Sequence, residues 1–293
     1  MKFATLYYGN SFVFDAAEPD ADFLEATRIA ADLARTDKHA EALAAYTAAA
    51  GGKVTDLQKS AGLEQAAAIA RGMKDYAKAD EIAARIPIEA VKKNALMQNL
   101  LDQAKAPQVI EQFGKEDISA WPFWKRGDGY FARARAYMIT KAGKEAETDL
   151  VNALEWSSET RTRDTIRQFM GNNRETNLHD DTGALTAYRE VIEGVKHLGT
   201  AEQFTALIGI ARILTRRGQF DEALATFHKV DLDKLQGVWR GNILLSQGDT
   251  QLAAGRKDEA LATYKSIAAD SAMEPRLRKL AEQKLSPPEP KRP

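Results

Sequence analysis

Residues 218–227 read GQFDEALATF, and residues 255–264 read GRKDEALATY. The two phrases begin at Gly218 and Gly255 and are therefore offset by 37 residues. Self-similarity at a fixed period of about 20–50 residues is the sequence signature of a stack of supersecondary units. The repeat predicts how the chain is built, whereas it names neither a partner nor a reaction.

Weaker copies of the phrase place a small residue at one repeated position along the chain. A larger residue follows four positions later, one turn along the same face of a helix. The 67-residue gap between Ala79 and Ala146 has room for one more unit, with Val109 in the place of the alanine. We therefore expect seven helical hairpins, with small residues at Ala42, Ala79, Val109, Ala146, Ala184, Ala223 and Ala260 and larger fillers at Tyr46, Ala83, Phe113, Leu150, Tyr188, Phe227 and Tyr264.

Composition and charge are those of a folded protein without a strong global field. Hydrophobic residues make up 44% and charged residues 28%, and 41 basic and 42 acidic residues give a net charge of −1. This balance does not favour nucleic acid as a partner. No run of about 18 apolar residues occurs, so no membrane span is expected. Cysteine is absent, which excludes disulfides and thiolate chemistry.

Three segments are expected. Residues 1–21 predict an extended arm or a small hairpin, because Gly9 and Asn10 separate two aromatic, apolar runs. Residues 22–285 carry apolar positions at helical spacing, interrupted by Gly, Pro and Asp, and predict helix after helix. Residues 286–293, SPPEPKRP, predict a disordered, polyproline-like tail.

The N-terminal residues are a poor signal peptide, since their apolar stretch is interrupted and no clean small-x-small cleavage site follows. We therefore expect a cytoplasmic protein as the sequence is given. Residues 16–19, AAEP, read like a mature start, so a periplasmic or exported location stays open if a signal peptide is missing.

The repeated phrases resemble tetratricopeptide repeats over roughly residues 22–285, most strongly at 205–270 and least at 60–116. The spacing exceeds the usual period of about 34 residues. The first-helix tryptophan of the family is generally absent, and Tyr130 is its nearest substitute. The resemblance implies an all-α fold, a right-handed superhelical solenoid of about seven hairpins. It also implies a non-catalytic scaffold or adaptor for protein binding.

In this family the first helix of each hairpin lines a concave face, where partners often bind. A groove lined by arginine and amide side chains suits an extended peptide, through backbone hydrogen bonds and carboxylate pairing. The alternative is that these residues form ordinary solvated faces. The resemblance places the following residues on or near the groove: Asn94, Gln98, Arg135, Asn173, Asn177, Arg212 and Arg216.

A second candidate surface is a possible anchor patch within residues 121–126, WPFWKR. Trp121, Trp124, Lys125 and Arg126 form it, because tryptophan and arginine dominate binding hot spots. The alternative is that the two tryptophans fill the space between the third and fourth hairpins. Asp128 is expected to cap the helix that follows.

Catalysis has little support in the sequence. Residues 51–55, GGKVT, lack the leading glycine of a phosphate loop, and no metal-binding spacing occurs among the histidines. We therefore expect no enzyme activity, cofactor or metal, and a protein or peptide partner of unknown identity. The alternative function is a structural or assembly subunit that acts through oligomerisation, for example in a bacterial envelope or secretion complex.

Overall fold

The computed structural model of the protein shows a chain built mainly of paired α-helices. Its packing divides the chain into two compact units, residues 1–166 (unit 1) and residues 167–293 (unit 2). The predicted proline-rich tail after Ser286 lies outside the described residues, as do Gly9 and Asn10. The structure describes residues 4–8, 11–15, 21–195, 198–232, 234–235 and 237–286.

The N-terminal segment contains two short strands, β1 (Ala4–Tyr8) and β2 (Ser11–Asp15). They pair antiparallel, with Ala4 opposite Asp15 and Tyr8 opposite Ser11. Three of the five residues in each strand are aromatic or β-branched, a composition that favours extended structure.

Unit 1 contains four helical hairpins and the start of a fifth. A short 3-10 helix at Ile118–Ala120 precedes the fourth hairpin, and β2 lies against the first helix of that hairpin, α7. The helices are α1 (Ala21–Arg35), α2 (His39–Gly51), α3 (Asp56–Gly72), α4 (Tyr76–Ala84), α5 (Glu89–Asp102), α6 (Ala106–Phe113), α7 (Phe123–Ile139), α8 (Gly143–Glu155) and α9 (Thr160–Thr176), which contains the boundary between the units.

Unit 2 continues the same alternation of helices, and its last described helix packs against the two helices before it. None of the described helices is long and apolar enough to cross a membrane. The helices that follow α9 are α10 (Asp181–Ile192), α11 (Ala201–Arg216), α12 (Phe220–Phe227), α13 (Gly237–Ala253), α14 (Lys257–Ala269) and α15 (Pro275–Leu285).

The predicted repeat register is confirmed by burial. In all seven hairpins the small residue of the second helix is at most 1% exposed, and the filler four residues later is at most 8% exposed. The third hairpin, with Val109 in the place of alanine and Phe113 as its filler, obeys the same rule. A small side chain at this point lets the two helices approach closely, and the filler occupies the space one turn away. The all-α repeat fold predicted from the sequence is therefore confirmed.

The turn inside each hairpin repeats the same backbone geometry. One residue has a positive φ, five residues before the small residue of the second helix, and the next residue donates its N–H to a carbonyl near the end of the first helix. In the third hairpin Lys105 donates to Leu100 at 2.9 Å, and in the sixth Gln219 donates to Leu214 at 2.9 Å. This is the usual way to end a helix with a left-handed residue. The positive φ angles are 59° at Asp37, 62° at Lys74, 58° at Ala104, 65° at Lys141, 56° at His179, 73° at Gly218 and 78° at Gly255.

This turn geometry predicts opposite effects for two matched substitutions. Ala104→Gly should stabilise the protein by about 0.5–1 kcal/mol, because a side chain at positive φ is strained by roughly 1–2 kcal/mol and glycine gives back part of that as backbone entropy. Gly218→Ala should destabilise it by about 1 kcal/mol, although a methyl group there would meet no atom within 4 Å. Urea denaturation followed by circular dichroism tests both. A shift of both variants in the same direction would contradict the shared turn.

Candidate binding surface

The first helices of successive hairpins lie side by side within each unit. In unit 1, α3 contacts α1 and α5, and α5 also contacts α7. In unit 2, α11 contacts α13, and α13 contacts α15. The side chains that point away from the second helices therefore form a shared face, which we call the first-helix surface of each unit.

Two of the predicted groove residues meet on the first-helix surface of unit 1. Arg135 of α7 donates from Nη1 to Oε1 of Gln98 of α5 at 2.8 Å. The two residues are 37 positions apart and occupy equivalent places in neighbouring hairpins. Both side chains remain partly exposed, so they are accessible to a ligand.

A second guanidinium that the sequence analysis missed lies close to Arg135. Arg71 of α3 donates from Nε to Oδ2 of Asp102 at 3.1 Å, and its Nη1 is buried with no hydrogen-bond partner among the described residues. Burial lowers the pKa of Arg135; the carboxylate of Asp102 opposes this effect, and the positive charge of Arg71 adds to it. Two guanidinium groups thus lie near one carboxylate, which pairs with Arg71.

Two large apolar side chains stay exposed at the ends of the two helices that carry these arginines. Ile139 lies one helical turn after Arg135 on α7 and is 57% exposed. Met73 follows Arg71 at the end of α3 and is 43% exposed. The first-helix surface of unit 1 therefore combines hydrogen-bond donors with apolar area that a ligand could cover.

In unit 2 the predicted arginines are held by a carboxylate of the chain itself. Glu175 of α9, whose side chain is 4% exposed, accepts from Nε and Nη2 of Arg212 at 2.7 and 2.6 Å and from Nη1 of Arg216 at 2.8 Å. The hydroxyl of Tyr188 donates to Glu175 at 3.2 Å, and Arg216 also pairs with Asp181 at 2.6 Å. Both arginines are therefore already neutralised. A cavity of about 510 Å³ beside them is lined by Glu175, Thr176, His179, Asp181, Arg212 and Arg216.

The Glu175 cluster predicts a pH-dependent contribution to the stability of unit 2. Burial raises the pKa of Glu175, but the hydrogen bonds from Arg212 and Arg216 outweigh it, and the net pKa is lowered. A lowered folded pKa means that the stabilisation is present above the unfolded value of about 4.3 and is lost as the pH falls through the folded value.

We expect Glu175→Gln to reduce the free energy of unfolding by about 1.5–3 kcal/mol at pH 7, since hydrogen bonds to a charged group are lost. The difference from the wild type should shrink as the pH falls through the lowered folded pKa of Glu175, because the wild-type carboxylate is then protonated too. Urea denaturation at a series of pH values measures this. A difference that stays constant over the whole acid range in which the wild type remains folded would rule out the proposed role of the ionised carboxylate.

Two of the three asparagines predicted for the groove, Asn94 and Asn173, are buried. Asn94 is 4% exposed and donates to Oε1 of Glu64 at 3.3 Å. Asn173 is fully buried, and Asn177 donates to its Oδ1 at 3.1 Å. The expectation that Asn94 and Asn173 present their side chains to a ligand needs correction, because packing between helices covers them.

The predicted anchor patch is also mostly internal. Trp121 is 5% exposed, and its Nε1 donates to Oε1 of Glu116 at 3.0 Å. Trp124 packs, partly buried, against the core of unit 1. The side chain of Lys125 is 1% exposed, with Nζ 2.6 Å from Oε1 of Glu64. These three residues serve the fold rather than an exposed patch.

The cause of this difference is the start of α7. The helix begins at Phe123, directly after Pro122, and not at Asp128 as the sequence suggested. Lys125 is therefore helical and turned inward. The exposed residues of this region are others: Phe123 is 56% exposed and Trp156 is 38% exposed. Arg126 donates from Nε to the carbonyl of Trp121 at 2.8 Å and lies over the Trp156 ring, 4.4 Å from its centre.

The helical hairpins with small crossing residues define a tetratricopeptide-like repeat fold. No protein-family model matches the sequence, and no curated protein matches it either. Among solved structures, the chain is similar to a tetratricopeptide repeat protein from Parabacteroides merdae, with a TM-score of 0.50 and 14% sequence identity. The match covers 90% of this chain and 100% of the other. At this level of identity the similarity concerns the fold alone.

Proposed function

We propose that this protein is a non-catalytic interaction scaffold that binds an extended segment of a partner protein on the first-helix surface of unit 1. The observation that carries the proposal is the surface formed by α3, α5 and α7. It has guanidinium donors that are incompletely paired within the described residues, next to exposed apolar side chains. Proteins with this fold usually bind other proteins, and arginine is enriched in binding hot spots.

The arginines of unit 2 are less suited to bind a partner than those on the first-helix surface of unit 1. Arg212 and Arg216 were predicted to contact a partner, but their charges are engaged by Glu175 and Asp181. A ligand carboxylate would have to compete with the buried carboxylate of Glu175, which already accepts two short hydrogen bonds from Arg212. Binding by Arg212 and Arg216 would therefore gain less than binding on unit 1.

Assembly through an end helix is less well supported. In the last described helix, α15, Leu280 is the large apolar side chain that stays exposed. In α1, Leu24 and Ile29 are exposed, but a spacing of five residues puts them on different faces of the helix. Neither helix presents the contiguous apolar patch that self-association requires.

A selection from a random dodecapeptide library tests the proposal, with binding of the selected peptides measured by calorimetric titration. Ile139→Ala should weaken binding by roughly 10-fold, because it removes apolar area that the peptide would cover. Val151→Ala is the matched control: Val151 is 48% exposed on α8, a second helix, and should bind as the wild type does. Equal loss in both variants, or no selected peptide at all, would contradict the proposed surface.

A further inference from the structure

We propose that Arg71 and Arg135 bind the side-chain carboxylate of an aspartate or glutamate within the partner segment, an inference that rests on the proposed function. The two arginines come from α3 and α7, the first helices on either side of α5. They carry two positive charges, and among the described residues one carboxylate, that of Asp102, forms an ion pair with Arg71, whereas none forms an ion pair with Arg135. One positive charge on the first-helix surface of unit 1 therefore lacks a counterion from the described chain.

The hydrogen bonds of the two guanidinium groups are also incomplete. Arg135 makes one side-chain hydrogen bond within the described residues, to the neutral amide oxygen of Gln98. Arg71 keeps Nη1 buried without a partner there, and its side chain is 13% exposed. A buried donor without an acceptor destabilises the free protein. A ligand carboxylate beside the two guanidinium groups would accept hydrogen bonds from their accessible donors and supply the missing charge.

Unit 2 provides an internal example of the completed arrangement. Arg212 occupies the place in α11 that Arg135 occupies in α7, and there Glu175 accepts two hydrogen bonds from it. Burial lowers the pKa of Arg135, whereas the Glu175 carboxylate raises the pKa of Arg212. In unit 1 the side chain that accepts a hydrogen bond from Arg135 is Gln98, which is neutral. The acidic group must then come from the ligand.

An internal acidic side chain fits this surface better than a chain terminus. Met73 on the α3 side and Ile139 on the α7 side are both exposed, so apolar area is present on both sides of α5. A segment that crosses the helices can cover both only if it continues in both directions from its acidic residue. A C-terminal carboxylate would leave one of these two side chains uncovered.

The test uses dodecapeptides displayed at the N-terminus of a phage coat protein, where no peptide has a free C-terminus. Selected peptides are synthesised in amidated pairs that differ only by Glu→Gln or Asp→Asn at one position, and are titrated into the full chain. Wild-type protein should bind the acidic member at least about 10-fold more tightly. Arg135→Gln should weaken the acidic peptide by a similar factor and leave the neutral one unchanged.

Gln98→Glu is the decisive variant, since it supplies internally the carboxylate that Glu175 supplies in unit 2. It should remove the preference for the acidic peptide while raising the melting temperature by roughly 2–4 °C. A variant that merely damaged the fold would lower it. Arg189→Gln, at an exposed arginine that pairs with Glu222, should keep wild-type binding.

The outcomes distinguish the carboxylate subsite from the scaffold function. Selected peptides that bind without charge preference, or that bind Gln98→Glu as tightly as the wild type, would overturn the carboxylate subsite but leave the scaffold function standing. Binding restricted to synthetic peptides with a free C-terminus would also overturn it. The absence of any binding peptide would count against the scaffold function itself. If Arg135→Gln does not fold, the result with Gln98→Glu decides.

Discussion

Replacing Tyr188 by alanine is expected to destabilise unit 2 by about 3–5 kcal/mol, because it removes a large buried ring and leaves a cavity. Tyr188 is 1% exposed and is the filler of the fifth hairpin. Its ring lies between Gly171 of α9 and Gly209 of α11, where a Cβ atom built on either glycine would be 2.5 Å from a ring carbon. The backbones of two first helices therefore close over this side chain, and they cannot collapse into the space without moving.

Two further variants separate the causes of this effect. Tyr188→Phe keeps the ring and loses only the hydroxyl that donates to Glu175, so its cost should be about 1 kcal/mol. Gly209→Ala keeps the tyrosine but adds a methyl group against it, and should cost about 1–3 kcal/mol. In a protein that also carries Tyr188→Ala, Gly209→Ala should reduce the free energy of unfolding by less, because the ring that the methyl group would meet is absent.

Urea denaturation measures these changes, and hydrogen exchange with mass spectrometry locates them. In repeat proteins each unit contacts only its neighbours, so faster exchange should be confined largely to α9, α10 and α11. A Tyr188→Ala protein as stable as the wild type would mean that the ring is not a structural filler.

The second large effect is expected at Lys125, whose ammonium lies inside unit 1. Nζ is 2.6 Å from Oε1 of Glu64 and 2.7 Å from Oδ2 of Asp128. Burial lowers the pKa of Lys125, but the two carboxylates outweigh it, and the net pKa is raised. Lys125→Met would leave the carboxylates without this cation, and removing one member of a buried pair typically costs about 3–5 kcal/mol.

Two further variants test whether the loss in Lys125→Met comes from the buried charges. Adding Glu64→Gln to Lys125→Met should recover roughly half of the loss, since the uncompensated buried charge is removed. Lys92→Met should change stability by no more than about 0.5 kcal/mol, because Lys92 forms a more exposed pair with Glu89 at 3.3 Å. Urea denaturation of the four proteins is the measurement. If Lys125→Met and Lys92→Met lose the same small amount, the burial of the ammonium has no energetic consequence.

The repeat register could be predicted from the sequence because the same small residue and larger filler recur at a nearly constant spacing. The alanine and its filler recur strongly enough at Ala223 with Phe227 and at Ala260 with Tyr264 to locate the weaker copies. The turn geometry was only partly visible. Gly218 and Gly255 signal a positive φ, whereas Ala104 and Lys141 adopt the same conformation without any such signal.

The candidate surface was predictable only in part, because charge pairing between helices depends on contacts that no repeat encodes. Arg135 and Gln98 were found from their equivalent places in the hairpins. Glu175, which decides whether Arg212 is free, occurs once at its position and has no counterpart to draw attention to it. Arg71 lies one turn away from the place equivalent to Arg135 and was missed for the same reason.

The central claim is that a partner protein binds on the first-helix surface of unit 1. Site-specific photo-crosslinking tests it most directly, with benzoylphenylalanine placed at Ile139 on α7 or at Val151 on α8 in the full chain. Both residues are exposed, apolar and in the same hairpin. The comparison between them therefore tests the surface to which each belongs. In extracts of the native host, we predict one crosslinked partner from Ile139 and none from Val151. We further predict that mass spectrometry maps the crosslink to an extended segment containing an aspartate or glutamate. A partner that crosslinks from Val151 alone, or equally from both positions, would contradict the claim.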